Sequence, residues 1–206
     1  MTGVVMAAVL AGLAAGALHA GMGPDHLAVV APLAARESTA GAWRVGFRWG
    51  VGHALGVALV GVCALFLREL LPLEALESWS ERLVGGSLIV VGGWVLVDAL
   101  RGRTGHAGAG SRNGGRAALA VGTLHGTAGG SHLVGVLPAL AFSSFFTAGA
   151  YVAAFAAGTV GAMTGFSWLV GSGEARLARM APRVRAGLVG AFAAASIVVG
   201  VAWLAP

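Results

Sequence analysis

Apolar residues in this chain fall into six long blocks, at about 3–34, 49–67, 83–100, 117–141, 145–170 and 186–205. Each is near or above the ~20 residues that an α-helix needs to cross the hydrocarbon core of a bilayer. The alternating segments of about ten residues that build a membrane barrel are absent. The pattern therefore predicts an all-α polytopic membrane protein with six transmembrane helices and the lipid bilayer as its surroundings.

Polar side chains interrupt two of these blocks in the same way. The stretch GALHAGMGPDHLAVVAP at 16–32 returns without gaps, 106 residues later, as GTLHGTAGGSHLVGVLP at 122–138. Eight of the seventeen positions are identical, where this composition would give roughly two by chance. Four of the six histidines fall in the two copies, as the pairs His19/His125 and His26/His132. The same offset sets Trp49, Gly52 and His53 opposite Phe155, Gly158 and Thr159. The chain thus divides into a first three-helix repeat at 1–100, a polar cytoplasmic linker at 101–116 and a second three-helix repeat at 117–206. An odd number of spans per repeat inverts the second half relative to the first, the plan of many secondary transporters, whose sites lie near the midplane.

Composition agrees with burial in lipid. Hydrophobic residues make up 57% of the chain and charged ones 10%, with a mean hydropathy of +0.85. Soluble domains carry about 25% charged residues. Among 35 glycines, Gly12/Gly16 and Gly46/Gly50 have the spacing that lets membrane helices approach closely.

The net charge of +5 comes entirely from arginine, and its placement argues against a nucleic-acid footprint. With alternating helices, eleven arginines lie after helices one, three and five, against only Arg68 and Arg82 on the other side. By the positive-inside rule this predicts a multi-pass protein of the cell inner membrane with both termini outside the cytoplasm. No basic segment precedes the first block, so a cleaved signal peptide is not expected. Glu69, Glu74, Glu77 and Glu81 form a solvated helix end on the arginine-poor side, placed where they could also concentrate cations.

Candidate chemistry sits in the duplicated blocks. A carboxylate inside a membrane segment is costly, which marks Asp25, beside His26, as functional. On an unbroken helix, His19 and His26 would stand about 10.5 Å apart along the axis. One ion with bonds near ~2 Å could not take both. Gly21, Gly23 and Pro24 between them predict a break that brings them together. Gly126, Gly129 and Gly130 offer the same opportunity between His125 and His132. Broken helices are tolerated at membrane depth where they line a cavity. His53 adds an imidazole from the second helix, and Thr123, Thr127, Ser131 and Thr159 are available to orient the rings. Imidazole with carboxylate suits nickel, cobalt, zinc or copper better than magnesium or calcium. The candidate metal ligands are therefore His19, Asp25, His26, His53, His125 and His132; taken singly, each histidine could instead be an interhelical hydrogen-bonding residue. Asp98, three residues before Arg101, is expected in an interfacial ion pair, and His106 in the linker has no partner of its kind nearby.

HAGMGPDHLAVV and the Gly52-His53 pair resemble the signature of the nickel/cobalt transporter family, and especially its shorter urease-accessory UreH-like members. LHGTAGGSH resembles an element of their second half. Five residues separate His19 from Asp25, where that family usually has four. The resemblance implies a six-helix bundle with pseudo-two-fold symmetry, in which His19, Asp25, His26 and His53 recognise a divalent cation.

The expected function is secondary transport of Ni2+ or Co2+ as a ligand, with no prosthetic group and no enzyme activity. Alternatives of other classes are an exporter of an amino-acid-like solute and an intramembrane metal-dependent hydrolase. Cys63 is the only cysteine, which excludes a dithiol electron relay. No phosphate-binding GxxxxGK[ST] run occurs, which argues against direct ATP use. The expected partners are a divalent metal ion and the bilayer, with homo-oligomers possible and nucleic acid excluded.

Overall fold

The first apolar block breaks between Met22 and Pro24. Helix α1 (Thr2–Met22) ends there and α2 (Pro24–Ala34) begins, with Gly23 extended between them at φ −75° and ψ 108°. Proline suits the first helical position because its missing N–H would have had no partner there. A Cβ on Gly23 would collide with Nδ1 of His26, so the break also needs a residue without a side chain. The computed structural model describes residues 2–67, 73–101, 112–128 and 135–205. Five further helices follow: α3 (Thr39–Leu67), α4 (Leu73–Leu100), α5 (Arg112–Thr127), α6 (Phe145–Met180) and α7 (Pro182–Leu204). A 3₁₀ turn at Leu137–Ala141 precedes α6.

The described residues are thus all-helical, and four segments are long and apolar enough to cross a membrane. They are Thr2–Met22, Glu81–Leu100, Phe145–Leu177 and Arg183–Leu204. Among the described residues, four of the six expected spans are found by that measure. The block at 3–34 divides into α1 and the short α2. The block at 117–141 divides into the end of α5 and the 3₁₀ turn, with 129–134 outside the described residues. Large apolar side chains on these helices point outward, among them Leu10, Val90, Leu169 and Val198. That surface is unsuited to water and suited to lipid.

Close backbone contact organises the interior. In lipid, helices gain little from burying apolar area against one another, so packing of small residues takes its place. Helix α1 lies on α6, α3 lies between α5 and α6, and α4 lies on α7. A Cβ on Gly16 would strike the carbonyl of Phe155, and one on Gly122 the carbonyl of Trp49. Likewise Gly52 abuts Leu119, and Gly158 abuts Leu13. Each of these pairs maps onto the other under the 106-residue offset.

The same contacts give helix directions. Gly12 and Gly16 oppose Tyr151 and Phe155, so α1 and α6 run parallel; Gly52 and Gly56 oppose Leu119 and Thr123, so α3 and α5 do too. Gly46 and Gly50 meet Met163 and Val160, so α3 and α6 run antiparallel. Gly85 meets Gly200 and Gly92 meets Ala193, which makes α4 and α7 antiparallel. The hydroxyl of Ser196 ties that pair by donating to the Leu88 carbonyl at 2.9 Å.

Candidate metal centre

The break at Gly23 turns α2 so that His26 comes back beside His19. Their rings stand 4.9 Å apart between centroids, about half the axial distance an unbroken helix would impose. His53, from the middle of α3, completes a trio at 5.5 Å from His19 and 5.1 Å from His26. One ligand nitrogen from each of the three lies within 4.8 Å of the others. His26 and His53 are buried, and His19 is half-buried at the end of α1.

These separations can be compared with what one ion needs. With metal–nitrogen bonds near 2 Å, a ring centroid lies about 3.2 Å from the ion, and two tetrahedral ligands have centroids about 5.2 Å apart. The trio matches that spacing. Asp25, buried in the first turn of α2, sets a carboxylate oxygen 3.6 Å from Nε2 of His26. It stands at the positive end of α2, where an anion is favoured. The carbonyls of His19 and Ala20, at the open end of α1, also face the His26 ring.

Trp49 walls the trio on one side. Its indole stacks on His53 at 5.0 Å and 13°, and meets His26 edge-on at 5.0 Å. The sequence sets Trp49 opposite Phe155 but does not mark it as part of the site. Phe155 lies 5.5 Å from His19, while Trp49 lies 5.7 Å from His125, so each aromatic flanks the histidine of the opposite copy. The signal was in the repeat: Trp49 lies one helical turn before His53, on the same face.

His125 stands apart from the trio, 6.1 Å from His26. It is buried near the end of α5, and its Nδ1 donates to the Val121 carbonyl at 3.0 Å. A carbonyl can only accept, so this bond fixes the tautomer and leaves the Nε2 lone pair available. Among the described residues Nε2 has no hydrogen-bond partner. Thr159, the counterpart of His53, donates to the carbonyls of Gly16 and Phe155, at 3.2 and 3.1 Å. Thr123 and Thr127 bond within their own helix, to Leu119 and Leu124. His132, Ser131 and His106 lie outside the described residues, as do the side chains of Cys63, Glu69, Glu74 and Glu77.

Beyond His53 opens a cavity of about 640 Å³ between α3, the 3₁₀ turn and α6. Apart from His53 and Thr159 its walls are alanine, glycine, valine, leucine and phenylalanine. Such walls offer a hydrated cation no replacement for its water.

Two further ion pairs lie away from the trio among the described residues. Asp98 forms an ion pair, as expected, with Arg36 just after α2 at 2.7 Å, and that guanidinium also covers the Trp94 ring. Glu174 and Arg185 pair at 3.2 Å across the α6–α7 corner. Glu174 and Glu37 are buried carboxylates that sequence reading did not anticipate.

Two curated plant proteins are similar to most of this chain. Chloroplast protein FOR GROWTH AND FERTILITY 2 of Arabidopsis thaliana is 32% identical over 209 residues, which covers 96% of this chain and 56% of that protein. Chloroplast protein FOR GROWTH AND FERTILITY 1 is 32% identical over 190 residues, covering 84% and 52%. The chain spans about half the length of these relatives. No family model matches it, and no solved structure does.

Neither relative is named as a nickel/cobalt transporter. The assignment to that family and its UreH-like members is therefore corrected: it rested on a few polar residues, one of them displaced by a position. The expected cell inner membrane, with both termini outside the cytoplasm, is overturned by the same finding, since both relatives are chloroplast proteins. Arginine bias sorts helix ends by side; it does not identify the membrane.

Proposed function

We propose that this chain is a membrane transporter that takes a divalent transition-metal cation as its substrate, at His19, His26 and His53. The observation that carries this reading is the convergence of three imidazoles from α1, α2 and α3 at tetrahedral spacing inside the bundle. Asp25 would lower the cost of holding a doubly charged ion there. Nickel and cobalt fit the ligand set, as do zinc and copper.

In this reading the chain forms two inverted three-helix repeats and crosses the bilayer six times, with each broken helix counted as one crossing. The reciprocal glycine contacts and the antiparallel course of α3 against α6, and of α4 against α7, support it. The ion would shed water into the trio, and rocking of one repeat against the other would expose it to alternate sides. A chloroplast location is the one the relatives' names suggest.

The test is flux of Co2+ and Ni2+ into liposomes that hold the purified chain and an entrapped chelating dye. Entry well above that of empty vesicles, lost in His26→Ala, is expected. Parent flux equal to that of empty vesicles would sink the reading. Metal-dependent product formation in detergent would replace it with the hydrolase. Chelator-insensitive flux of an organic solute would replace it with the exporter.

A further inference from the structure

The trio accounts for one ion position but not for His125. That ring is buried, its Nδ1 is committed to Val121, and its Nε2 lone pair has no partner among the described residues. A buried acceptor in this state is costly unless something occupies it. Its 6.1 Å from His26 exceeds the tetrahedral spacing of about 5.2 Å but lies within the ~6.4 Å at which two rings can grip one ion from opposite sides.

Helix directions show where His125 stands. Helix α1 is parallel to α6, α3 is parallel to α5, and α3 is antiparallel to α6, so α1 and α5 run in opposite directions. His19 and His125 occupy the last turns of these two helices. The rings therefore approach His26 at the ends of helices that enter from opposite faces of the bundle. The cavity beyond His53 is lined, among the described residues, by apolar side chains apart from His53 and Thr159.

From this we infer a second cation position between His26 and His125, reached from the trio by exchange of ligands on His26. The ion would leave His19 and His53 while His26 keeps hold of it, and would gain Nε2 of His125 toward the opposite face. No bond other than metal–ligand bonds changes, and no electron moves. The inference rests on the transport reading and assigns the duplicated histidine a step that the trio cannot perform.

The experiment compares equilibrium binding with flux, using Co2+ as the probe. Binding is read in detergent by calorimetry and by the visible absorption of Co2+, which reports its coordination number; flux is read in the liposome assay. His125→Ala is expected to bind Co2+ within about threefold of the parent, with the same spectrum, yet to lose at least tenfold in flux. His19→Ala is expected to lose both. His125→Gln, which fills much of the ring's volume without an imidazole nitrogen, must give the same split and decides the matter if the alanine variant fails to fold. Parent-like flux in the His125 variants overturns the inference and leaves the transport reading standing. Loss of binding with a changed spectrum also overturns it, because His125 would then belong to the first position. A parent that neither binds nor moves Co2+ overturns the transport reading and the inference with it.

Discussion

The two copies of the duplicated motif share a frame and differ in their chemistry. His19 and His125 end corresponding helices, and each lies under the aromatic ring of the other half, at 5.5 Å from Phe155 and 5.7 Å from Trp49. The backbone contacts around them are exchanged in the same way, Gly16 on Phe155 and Gly122 on Trp49. Yet His19 has two imidazoles within 5.5 Å, while His125 is tied to its own helix through Nδ1. One substitution accounts for much of this: where the first copy has His53, the second has Thr159, whose hydroxyl bonds to the backbone. Shape is thus carried by glycine and aromatic residues in both halves, and the contrast in chemistry by His53, which the second copy replaces with Thr159. A duplicated scaffold can hold an unsymmetrical site because its packing does not depend on the ligands.

The largest test of that contrast is His53→Thr, which gives the first copy the residue of the second. Co2+ affinity is expected to fall about 100-fold or more, because a threonine hydroxyl is a poor ligand beside imidazole; a change under threefold in calorimetry would refute the trio. Next come the glycine mates. Gly16→Val and Gly122→Val are each expected to cost ~1–3 kcal/mol by overpacking. Gly21→Ala, with nothing near its Cβ, should stay within about 0.5 kcal/mol. Thermal unfolding in detergent compares them, and clearly unequal costs for the two valine variants would break the correspondence of the halves.

Asp25→Asn should weaken Co2+ by about tenfold, the range for a group that orients a ligand. An effect as large as that of His26→Ala would make Asp25 a ligand itself. Smallest is Thr159→Val, expected to lower stability by about 1 kcal/mol through lost hydrogen bonds while leaving Co2+ affinity unchanged. A matching pH dependence sharpens the set. Binding at the trio should weaken in acid, because protonated imidazole has no lone pair for a metal.

Much of the site was legible because its signals are local. Gly23-Pro24 between His19 and His26 states the break in three residues, and the constant offset exposes the second copy. Distant pairings were not legible. Asp98 has Arg101 close in sequence, yet α2 ends against α4 and delivers Arg36. Glu174 and Arg185 meet only because Pro182 starts α7 directly after α6 ends. A short sequence match also links α4 and α7 at a different offset. Ile89-Val90-Val91-Gly92 recurs as Ile197-Val198-Val199-Gly200, 108 residues on, and Gly92 and Gly200 both sit in the α4–α7 contact. Hydropathy measures apolar length and does not see where a block is cut, as between Met22 and Pro24.

Trp49 has one more consequence. It is fully buried against the rings of His26, His53 and His125, while Trp43, Trp79, Trp94 and Trp168 face outward. A paramagnetic ion at either position would lie within contact range of that one indole and quench its emission. The chain therefore carries its own fluorophore at the point of interest, and occupancy could be followed by light in the unlabelled protein.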